Sequence, residues 1–460
     1  MSILTDYKWT GRLKPFTHQE ATAEFLSSRK KAFCFSEAGT GKTAAVIWAA
    51  DYLMNLGKVR RVLVVCPLSI MKSAWQQDLF KFAMHRSVSV AYGSAPVRKK
   101  VVNSQAEFVI INFDGLASVM NEVMAGGFDL IVVDEANFVK NPATQRWKVL
   151  NKVAATAKGM WMLTGTPAAQ SPLDAYGLAK LINPAGTPKY YGQFRDMVMY
   201  RITQFKWAPK PHAEALVHQM LQPAIRFERA QCLDLPDVTY VDRDAPLTPQ
   251  QALYYKKLKL QMTFEAGDES VTAVNAAVNL NKLLQVASGA IYTNDGNTLE
   301  FDVSNRLNVV REVIEEASHK VLIFVPFTHT ITLLQEYLEK HNISCAVING
   351  PVSVNKRNEI IQDFQTKAEP RVLIIQPKAA SHGLTLTAAD TVIWYAPVTS
   401  VETYLQANAR INRPGQKNAM CVVHIQGSDV ERRLYTMLRN NINNHEKIVD
   451  LYRQEIEEAA

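Results

Sequence analysis

The sequence lacks several features that would assign it to a special class of protein. No run of about 18 apolar residues is present, so no segment is typical of a membrane-spanning helix. The five cysteines are scattered without CxxC spacing, which argues against a zinc site or a disulfide framework and suits a reducing compartment. The N-terminal MSILTDYKWTGR has no apolar stretch behind a positive end, so it is unlike a secretory signal. These absences favour a protein without a membrane partner, cytoplasmic in a bacterial or phage-infected cell and nuclear if the source is eukaryotic.

The composition is ordinary for a globular protein. The chain has 460 residues, of which 47% are hydrophobic and 20% are charged. This length accommodates roughly two to four domains with cores of their own. The net charge of +8 permits a polyanionic partner but does not require one, because a modest basic excess is common.

Two stretches, from about residue 30 to 170 and after about residue 300, alternate short apolar runs with helical patterns. The runs are continuous, which is typical of strands buried on both faces of a parallel sheet. The sequence therefore predicts an α/β fold with two doubly wound parallel-sheet lobes. The runs are Ala32–Phe35, Val62–Cys66, Phe108–Ile111, Leu130–Val133 and Met160–Leu163 in the first stretch and Val321–Val325, Cys345–Ile348, Val372–Ile375, Thr391–Trp394 and Cys421–His424 in the second.

The region between the two lobes has a different composition and a different hydrophobic pattern. Prolines break its first part, and longer helical patterns follow, so we predict a first lobe over 1–170, a helical insertion and connection over 171–300, a second lobe over 301–440 and a C-terminal helix over 441–460. Within the insertion, Lys189–Arg229 mixes seven Lys or Arg with aromatic residues and only three acids. That mixture suits nucleic-acid binding through phosphate contacts and base stacking. The alternative is a subdomain whose aromatic residues form a small core of their own.

The segment SEAGTGKT follows an apolar run and precedes a helical pattern, which is the context that a phosphate-binding loop requires. Gly39 and Gly41 allow backbone N–H groups to curl around phosphates at the positive end of a helix. Lys42 would reach the β- and γ-phosphates, and the Thr43 hydroxyl would ligate Mg²⁺. Serine replaces the first glycine of the strict pattern. The predicted nucleotide-binding residues here are Ser36, Glu37, Ala38, Gly39, Thr40, Gly41, Lys42 and Thr43.

An acidic pair ends a second apolar run, in the segment DLIVVDEAN. Asp134 suits coordination of Mg²⁺, and Glu135 suits a general base that orients the attacking water. The alternative reading is a cap for the following helix.

Two other segments give weaker indications of a nucleotide site. The threonines of MWMLTGTP could sense the γ-phosphate or could only form a turn. Gln19 could read the adenine edge, with Phe16 or His18 stacked on the base, or could be an ordinary glutamine.

The segment Gln406–Gln416, QANARINRPGQ, carries two arginines three residues apart. On a helix, Arg410 and Arg413 would point from one face. Paired guanidinium groups suit the clamping of charge on a transferring phosphoryl group. A surface helix with two solvated arginines is the alternative.

The order of these segments resembles a superfamily-two helicase motor and, within that group, the Swi/Snf-like translocases. The resemblance covers about residues 13–430. The segments that carry it are LKPFTHQ, SEAGTGKT, VLVVCPLSIMKSAWQQDLFKF, FVIINFDGL, DLIVVDEANFVKNP, MLTGTP, KVLIFVPF, ASHGLTLTAADTVIWY and QANARINRPGQ.

The resemblance implies two RecA-like lobes with ATP and Mg²⁺ bound where they meet, so that closure completes the site. It assigns catalytic positions to Lys42, Glu135, Gln406, Arg410 and Arg413, and nucleotide and metal positions to Thr43 and Asp134. It also implies a monomeric enzyme that hydrolyses ATP to move on duplex or branched DNA, with RNA a possible partner. The positions that match nucleic-acid contacts are Pro67, Ser69, Asn112, Gly383 and Thr385.

The sequence also departs from the family pattern and leaves rival functions open. Asn137 replaces the usual histidine of the acidic box, which puts the coupling of hydrolysis to movement in question. No accessory domain is recognisable, so we expect a compact motor of a bacterial or phage type, suited to replication or recombination. The rivals are a strand-separating DNA or RNA helicase and a non-catalytic ATP-dependent clamp.

Overall fold

The structure is a computed structural model of the chain, and it forms two compact units, residues 1–234 and 235–460. The residues that it describes are 2–11, 13–165, 167–168, 171–203, 207–228, 232, 236–268, 273–292, 298–380, 385–413 and 415–440. Among these residues, no helix combines the length and the apolar character needed to cross a bilayer.

The first unit is built on a seven-stranded sheet in the order β3-β4-β2-β5-β6-β1-β9, with every pair parallel. Strands β7 and β8 form a separate antiparallel hairpin. The strands are β1 (Lys31–Cys34), β2 (Val62–Cys66), β3 (Val88–Ala91), β4 (Phe108–Asn112), β5 (Leu130–Asp134), β6 (Gly159–Leu163), β7 (Met199–Arg201), β8 (Trp207–Pro209) and β9 (Ala224–Ile225).

Helices cover both faces of this sheet, as the crossover connections of a parallel sheet require. A 3₁₀ turn over Leu68–Ile70 and a π-helical turn over Met71–Gln76 precede α4. The helices are α1 (Ile3–Asp6), α2 (Thr17–Ser27), α3 (Lys42–Asn55), α4 (Gln77–Phe82), α5 (Ala95–Val102), α6 (Phe113–Ser118), α7 (Met120–Ala125), α8 (Gln145–Ala154), α9 (Ala175–Ile182), α10 (Tyr191–Val198) and α11 (Ala213–Met220).

Strand β2 shows why the apolar runs of this sheet are continuous. Successive side chains of a strand point to opposite faces, so Leu63 and Val65 enter one core while Val62 and Val64 enter the other. All four side chains are fully buried. A half-buried strand would alternate apolar and polar residues, whereas burial on both faces selects apolar residues throughout.

The second unit repeats this plan with a six-stranded parallel sheet in the order β10-β17-β16-β13-β15-β14. Its strands are β10 (Val238–Asp244), β11 (Ala290–Tyr292), β12 (Thr298–Glu300), β13 (Lys320–Phe324), β14 (Cys345–Ile348), β15 (Val372–Ile375), β16 (Ala389–Trp394) and β17 (Met420–Gln426). Its helices are α12 (Pro249–Asp268), α13 (Ala273–Ser288), α14 (Ser304–Glu316), α15 (Thr328–Lys340), α16 (Val354–Thr366), α17 (Pro377–Ala380), α18 (Val401–Asn408) and α19 (Asp429–Arg439).

A buried ion pair fastens α14 to α19 in the second unit. Arg306 Nη2 lies 2.7 and 2.8 Å from the two carboxylate oxygens of Glu431, and both side chains are almost fully buried. Glu431 also accepts hydrogen bonds from the backbone N–H groups of Gly427 and Ser428. Removing one partner would leave an uncompensated buried charge, at a cost of about 3–5 kcal/mol.

The predicted fold class is confirmed, since each of the ten apolar runs coincides with a strand of one of the two parallel sheets. Within these two sheets the pattern missed β3, β9 and β10, and it also missed the strands of the two hairpins, β7–β8 and β11–β12. Strands β3, β9 and β10 lie at a sheet edge, where partial exposure permits polar residues and short strands. The division between the units falls inside the predicted insertion 171–300, whose boundaries stay a prediction. The predicted C-terminal helix, 441–460, lies outside the described residues.

Candidate functional site

The phosphate-loop segment links the end of β1 to the start of α3, as the sequence predicted. Gly39 has φ +90° and Gly41 has φ +74°, which is backbone that favours glycine. A Cβ atom at Gly41 would also meet the side-chain amide of Gln19, which would have to move. The backbone conformation is therefore what favours glycine at position 41.

Two side chains of α2 hold the loop. His18 Nε2 lies 2.8 Å from the carbonyl oxygen of Thr40, and Gln19 Nε2 donates to the carbonyl oxygen of Gly41 at 3.3 Å. The other end of the Gln19 amide accepts a 2.9 Å hydrogen bond from the backbone N–H of Phe16. The Gln19 amide thus hydrogen-bonds both the loop and the N-terminal end of α2. Its predicted contact with adenine stays a prediction. The rings of Phe16 and His18 are stacked on each other, 5.6 Å apart.

The ammonium of Lys42 is directed into its own loop. Its Nζ donates to the carbonyl oxygens of Ser36 at 2.7 Å and Glu37 at 2.9 Å. Burial raises the pKa of the Cys34 thiol at the end of β1, while the charge of Lys42 lowers that pKa and the charge of Asp134 raises it. The charges of Lys42 and Asp134 therefore both act near the carboxyl end of β1.

Strand register explains how Asp134 comes to this position. In the parallel pairs, Leu163 of β6 is level with Cys34 of β1 on one side and with Asp134 of β5 on the other. Neighbouring strands lie about 4.8 Å apart, so Asp134 is about 10 Å across the sheet from the start of the phosphate loop. The carboxyl ends of parallel strands are the usual ligand edge of such sheets.

The Asp134 carboxylate is fixed by two donors. The backbone N–H of Glu135 donates to Oδ1 at 2.9 Å, and the indole N–H of Trp75 donates to Oδ2 at 2.9 Å. Trp75 is fully buried and belongs to the π-helical turn Met71–Gln76. Such turns are often found at functional sites. Sequence reasoning gave Trp75 no role, although it lies in a segment that carries the family resemblance.

Glu135 has a backbone conformation that is uncommon for a residue with a side chain. Its φ of +53° and ψ of +56° lie in the left-handed region, and a 3₁₀ turn over Ala136–Val139 begins directly after it. Such a conformation costs about 1–3 kcal/mol and persists where the surrounding structure imposes it, often at functional sites. The predicted acidic pair therefore ends a strand and enters a turn, and the catalytic role of Glu135 stays a prediction.

The predicted nucleic-acid residues of the first unit share the same sheet edge. Pro67 and Ser69 follow the end of β2, whose Cys66 is level with Asn112 at the end of β4. Asn112 is 8% exposed, and its Oδ1 has no hydrogen-bond partner among the described residues. Arg98 Nε is also buried and unpartnered there, and a Cβ at Gly115 would approach both atoms within 3 Å. Sequence reasoning did not single out Arg98.

The arginine segment of the second unit differs from its prediction in one respect. Helix α18 ends at Asn408, and Arg410 and Arg413 lie in the turns that follow, so the expectation of a single helical face is wrong. A proline at position 414 disfavours helical backbone at Arg413, and Gly415 has φ +103°.

The side chains of this segment are nevertheless organised. Arg410 is only 4% exposed, and Arg413 Nη1 donates to the hydroxyl of Thr385 at 3.0 Å. Gln406 lies on α18 and donates to Glu402 at 3.1 Å. The solvated-surface alternative therefore does not describe Arg410. The predicted Gly383 lies outside the described residues.

Comparison with known protein families decides the family of the chain. A model of the SNF2-related domain matches residues 18–293, and a model of the helicase conserved C-terminal domain matches residues 305–415. The chain belongs to the SNF2-related family. This SNF2-related protein therefore carries its phosphate loop and acidic pair in the first match and its arginine segment in the second, as the resemblance implied.

Individual relatives are similar over most of this SNF2-related chain. An uncharacterized ATP-dependent helicase of Mycoplasma genitalium is 28% identical over 85% of the chain and 37% of its own length. A putative protein of Acyrthosiphon pisum secondary endosymbiont phage 1 is 23% identical over 93% of the chain and 97% of its own length. The chain spans 37 to 45% of the length of the helicase and chromodomain-helicase relatives. A solved Sulfolobus solfataricus SWI2/SNF2 ATPase core with dsDNA is 23% identical, covers 94% of this chain and 92% of its own, and has a TM-score of 0.46.

A buried histidine, His424, lies between α18 and α19 of this SNF2-related chain and contacts Tyr404 and Arg439. Arg439 donates to His424 Nδ1 from Nε at 3.2 Å, so Nδ1 is the acceptor and Nε2 carries the proton. Nε2 lies 2.9 Å from the hydroxyl of Tyr404 on α18 and can donate to it. Burial and, secondarily, the charge of Arg439 lower the pKa of His424 to about 3. The neutral ring thus links β17 to the helix that precedes Arg410.

Proposed function

We propose that this protein is a DNA-dependent ATPase that moves along duplex or branched DNA and remodels DNA or protein–DNA complexes. The observation that carries the proposal is the shared edge of the first sheet. There, β1, β5 and β6 align the phosphate loop with Asp134, while β2 and β4 end at the predicted nucleic-acid residues. A nucleotide and a nucleic acid would then act on neighbouring strand ends of one rigid sheet.

ATP would bind on the loop between β1 and α3. The N–H groups around Gly39 and Gly41 would receive the phosphates, at the positive end of α3. Lys42 already lies within hydrogen-bond distance of loop carbonyl oxygens, and a phosphate would replace these acceptors. Nucleotide binding would therefore exchange neutral acceptors for charged ones at the same ammonium.

The residues present fit a magnesium ion that arrives with the nucleotide. Mg²⁺ prefers oxygen ligands and commonly uses one or two protein oxygens with substrate phosphates and waters. Thr43 in the first turn of α3 and the fixed carboxylate of Asp134 offer such oxygens. No cluster of three or more His, Cys, Asp or Glu is placed to hold a metal in the described part of the chain. When bound, the ion would neutralise charge on the phosphates.

Hydrolysis would use the acidic pair and the arginine segment. We assign Glu135 as the base that orients the attacking water, because it follows Asp134 directly and is held in a fixed left-handed conformation. We assign Arg410 and Arg413 as the cations that stabilise the transferring phosphoryl group, with Gln406 as an accessory polar group. Arg410 is held almost fully buried, which reduces the entropy lost when it binds a charged oxygen.

Nucleic acid would be tracked through backbone contacts made by Pro67, Ser69, Asn112 and Thr385. Contacts to phosphate and sugar fix position without reading sequence, so binding should be weakly sequence-dependent and strongly salt-dependent. Branched DNA of the kind found in replication and recombination is the substrate that we propose beside intact duplex. The Mycoplasma genitalium relative is described as an ATP-dependent helicase, which supports the nucleotide requirement.

One experiment tests the proposal and its rivals together. The ATPase rate is measured alone and with equal nucleotide concentrations of duplex DNA, branched DNA, single-stranded DNA and RNA, with Lys42→Ala as the control for contaminating ATPases. We expect duplex or branched DNA to give the largest stimulation, and triplex displacement from intact duplex to accompany it. A zero rate with every nucleic acid would favour the clamp, and strand displacement on forks without triplex displacement would favour the helicase.

A further inference from the structure

The departure of the phosphate loop from the strict glycine pattern has a structural counterpart. Ser36 stands where that pattern has its first glycine, and its side chain is only 2% exposed. The hydroxyl oxygen of Ser36 accepts a 3.1 Å hydrogen bond from the backbone N–H of Phe227, which lies 191 positions further along the chain. The backbone of Ser36 does not have a positive φ, so its conformation does not require glycine. The serine therefore holds a partner that a glycine could not hold.

The segment that contains this partner continues the edge of the first sheet alongside the loop. Strand β9 pairs with β1 in parallel register. Beyond the paired residues, the N–H of Phe35 donates to the carbonyl oxygen of Ile225 at 2.8 Å. Two residues later, the N–H of Glu37 donates to the carbonyl oxygen of Phe227 at 3.0 Å. This spacing is that of a parallel ladder, so the first residues of the loop are held as a continuation of β1.

Ser36 and Glu37 are thus both bonded to Phe227, one through its hydroxyl group and the other through its backbone N–H. We call these three residues the loop clamp. The carbonyl oxygen of Ser36 also accepts a 2.7 Å hydrogen bond from Nζ of Lys42. Ser36 therefore connects Phe227 directly to the ammonium group that is proposed to bind the phosphates.

The second half of the loop is held from a different direction. Two side chains of α2 contact the carbonyl oxygens of Thr40 and Gly41. Glycines give a loop more conformational freedom than other residues, and that freedom is lost when the loop binds a ligand in one conformation. A loop that is fixed in advance loses less entropy on binding, which increases its affinity. The loop clamp would fix the first half in this way, as α2 fixes the second.

We infer that Ser36 is a positioning residue for ATP, which acts through Phe227 to hold the first half of the phosphate loop in its binding conformation. The inference rests on the proposed function for its ligand, a nucleoside triphosphate. It adds to the nucleotide site a segment from the end of the basic and aromatic region Lys189–Arg229. It also predicts that glycine at position 36, the residue of the strict pattern, weakens ATP binding.

Equilibrium binding of labelled ATP with Mg²⁺, measured by filter binding without nucleic acid, tests the role of the hydroxyl group. Ser36→Ala and Ser36→Gly should each bind ATP about three- to tenfold more weakly, the usual effect of one lost hydrogen bond. Ser344→Ala is the matched control, because the Ser344 hydroxyl accepts a 3.0 Å hydrogen bond from the backbone N–H of Arg371 in the second unit. This control should bind ATP as the wild type does. Wild-type affinity in Ser36→Gly overturns the inference.

Substitutions of Phe227 distinguish the loss of this one bond from a general loosening of the fold. Phe227→Pro removes the N–H group that Ser36 accepts, whereas Phe227→Ala shortens the side chain and keeps the N–H. Adding Ser36→Ala should weaken ATP binding further in the alanine background and leave it unchanged in the proline background, because the two groups act as a pair. An equal effect of Ser36→Ala in both backgrounds contradicts the assignment.

The steady-state ATPase with saturating duplex DNA gives a readout that a loss of stability alone would not move. Ser36→Ala should raise the KM for ATP by a factor similar to its loss of affinity and keep kcat within about twofold, as expected when only binding is weakened. A lower kcat at an unchanged KM would refute the positioning role. Failure of the wild type to bind ATP would overturn the proposed function, whereas wild-type binding that Ser36→Ala leaves intact overturns this inference alone.

Discussion

The guanidinium of Arg413 donates a 3.0 Å hydrogen bond to the hydroxyl of Thr385. One residue is proposed to stabilise the transferring phosphoryl group, and the other is proposed to contact the nucleic acid backbone. The bond joins the two roles within the second unit. A shift of either side chain would therefore displace the other, and with the proposed roles this bond would give a short physical route between nucleotide and DNA.

Replacing the Thr385 hydroxyl should weaken this coupling. In Thr385→Val the shape is retained but the acceptor for Arg413 is lost, so we expect several-fold less stimulation of the ATPase by duplex DNA. The rate without DNA should change little. Thr385→Ser keeps the hydroxyl and should remain close to wild type. Equal stimulation in the valine and serine variants would show that the hydrogen bond has no part in coupling.

The two arginines should be needed for turnover and dispensable for DNA binding. Arg410→Ala and Arg413→Ala should each reduce the ATPase rate by roughly 10³-fold or more, the usual magnitude for an arginine finger. Duplex affinity, measured by anisotropy without nucleotide, should be retained. Arg146→Ala removes an arginine whose partner is the exposed Asp114 and is a matched control in the other unit. A variant with a near-normal rate would lose its assignment as a finger.

Glu135→Gln should bind ATP and fail to hydrolyse it. The amide keeps the size of the side chain but cannot accept a proton from water, so the rate should fall by about 10²–10⁴-fold. Filter binding with labelled ATP and Mg²⁺ should give wild-type affinity. Its counterpart, Lys42→Ala, should lose that affinity because the ammonium is missing. An unchanged steady-state rate in Glu135→Gln would exclude this residue as the base.

Trp75 should affect the magnesium requirement through Asp134. Trp75→Phe removes the indole donor to the carboxylate and keeps a buried ring, so we expect the Mg²⁺ concentration for half-maximal ATPase to rise several-fold to tenfold. Trp161→Phe is the matched control, because that buried indole donates to the carbonyl oxygen of Arg29 instead. If both variants shift the Mg²⁺ titration equally, Trp75 has only a packing role.

His424 should make the second unit sensitive to acid. Its pKa is about 3 in the folded chain and about 6.5 when unfolded, so the unfolded state binds the extra proton first as the pH falls. The neutral form of His424 therefore contributes fully to the free energy of unfolding above about pH 6.5. This contribution falls by about 2–3 kcal/mol between pH 6.5 and 4.5.

The test compares urea unfolding of the wild type with His424→Gln at pH 7 and pH 4.5. The variant cannot take up this proton, so the wild type should lose more free energy of unfolding on acidification. Parallel losses in the two proteins would mean that His424 does not titrate in this range.

The amino-acid sequence alone predicted most strands of the two parallel sheets and the place of the glycine-rich loop between a strand and a helix, while the chemistry of the motifs stays a prediction. Burial on both faces selects continuous apolar runs, so runs such as Val62–Cys66 identify the inner strands directly. The glycines of the phosphate loop are likewise required by local backbone geometry, which a short segment reveals. Edge strands such as Val238–Asp244 escape this reasoning because half of their surface can be polar.

Contacts between residues far apart in the sequence follow from the tertiary structure. The indole of Trp75 lies 59 positions from Asp134 along the chain, and no periodicity in either segment predicts their hydrogen bond. The same holds for Arg413 and Thr385, whose contact depends on turns beyond Asn408 where the sequence suggested a helix. Local patterns follow from short-range sterics and burial. Contacts between distant segments follow from strand order and register, which only the folded sheet fixes.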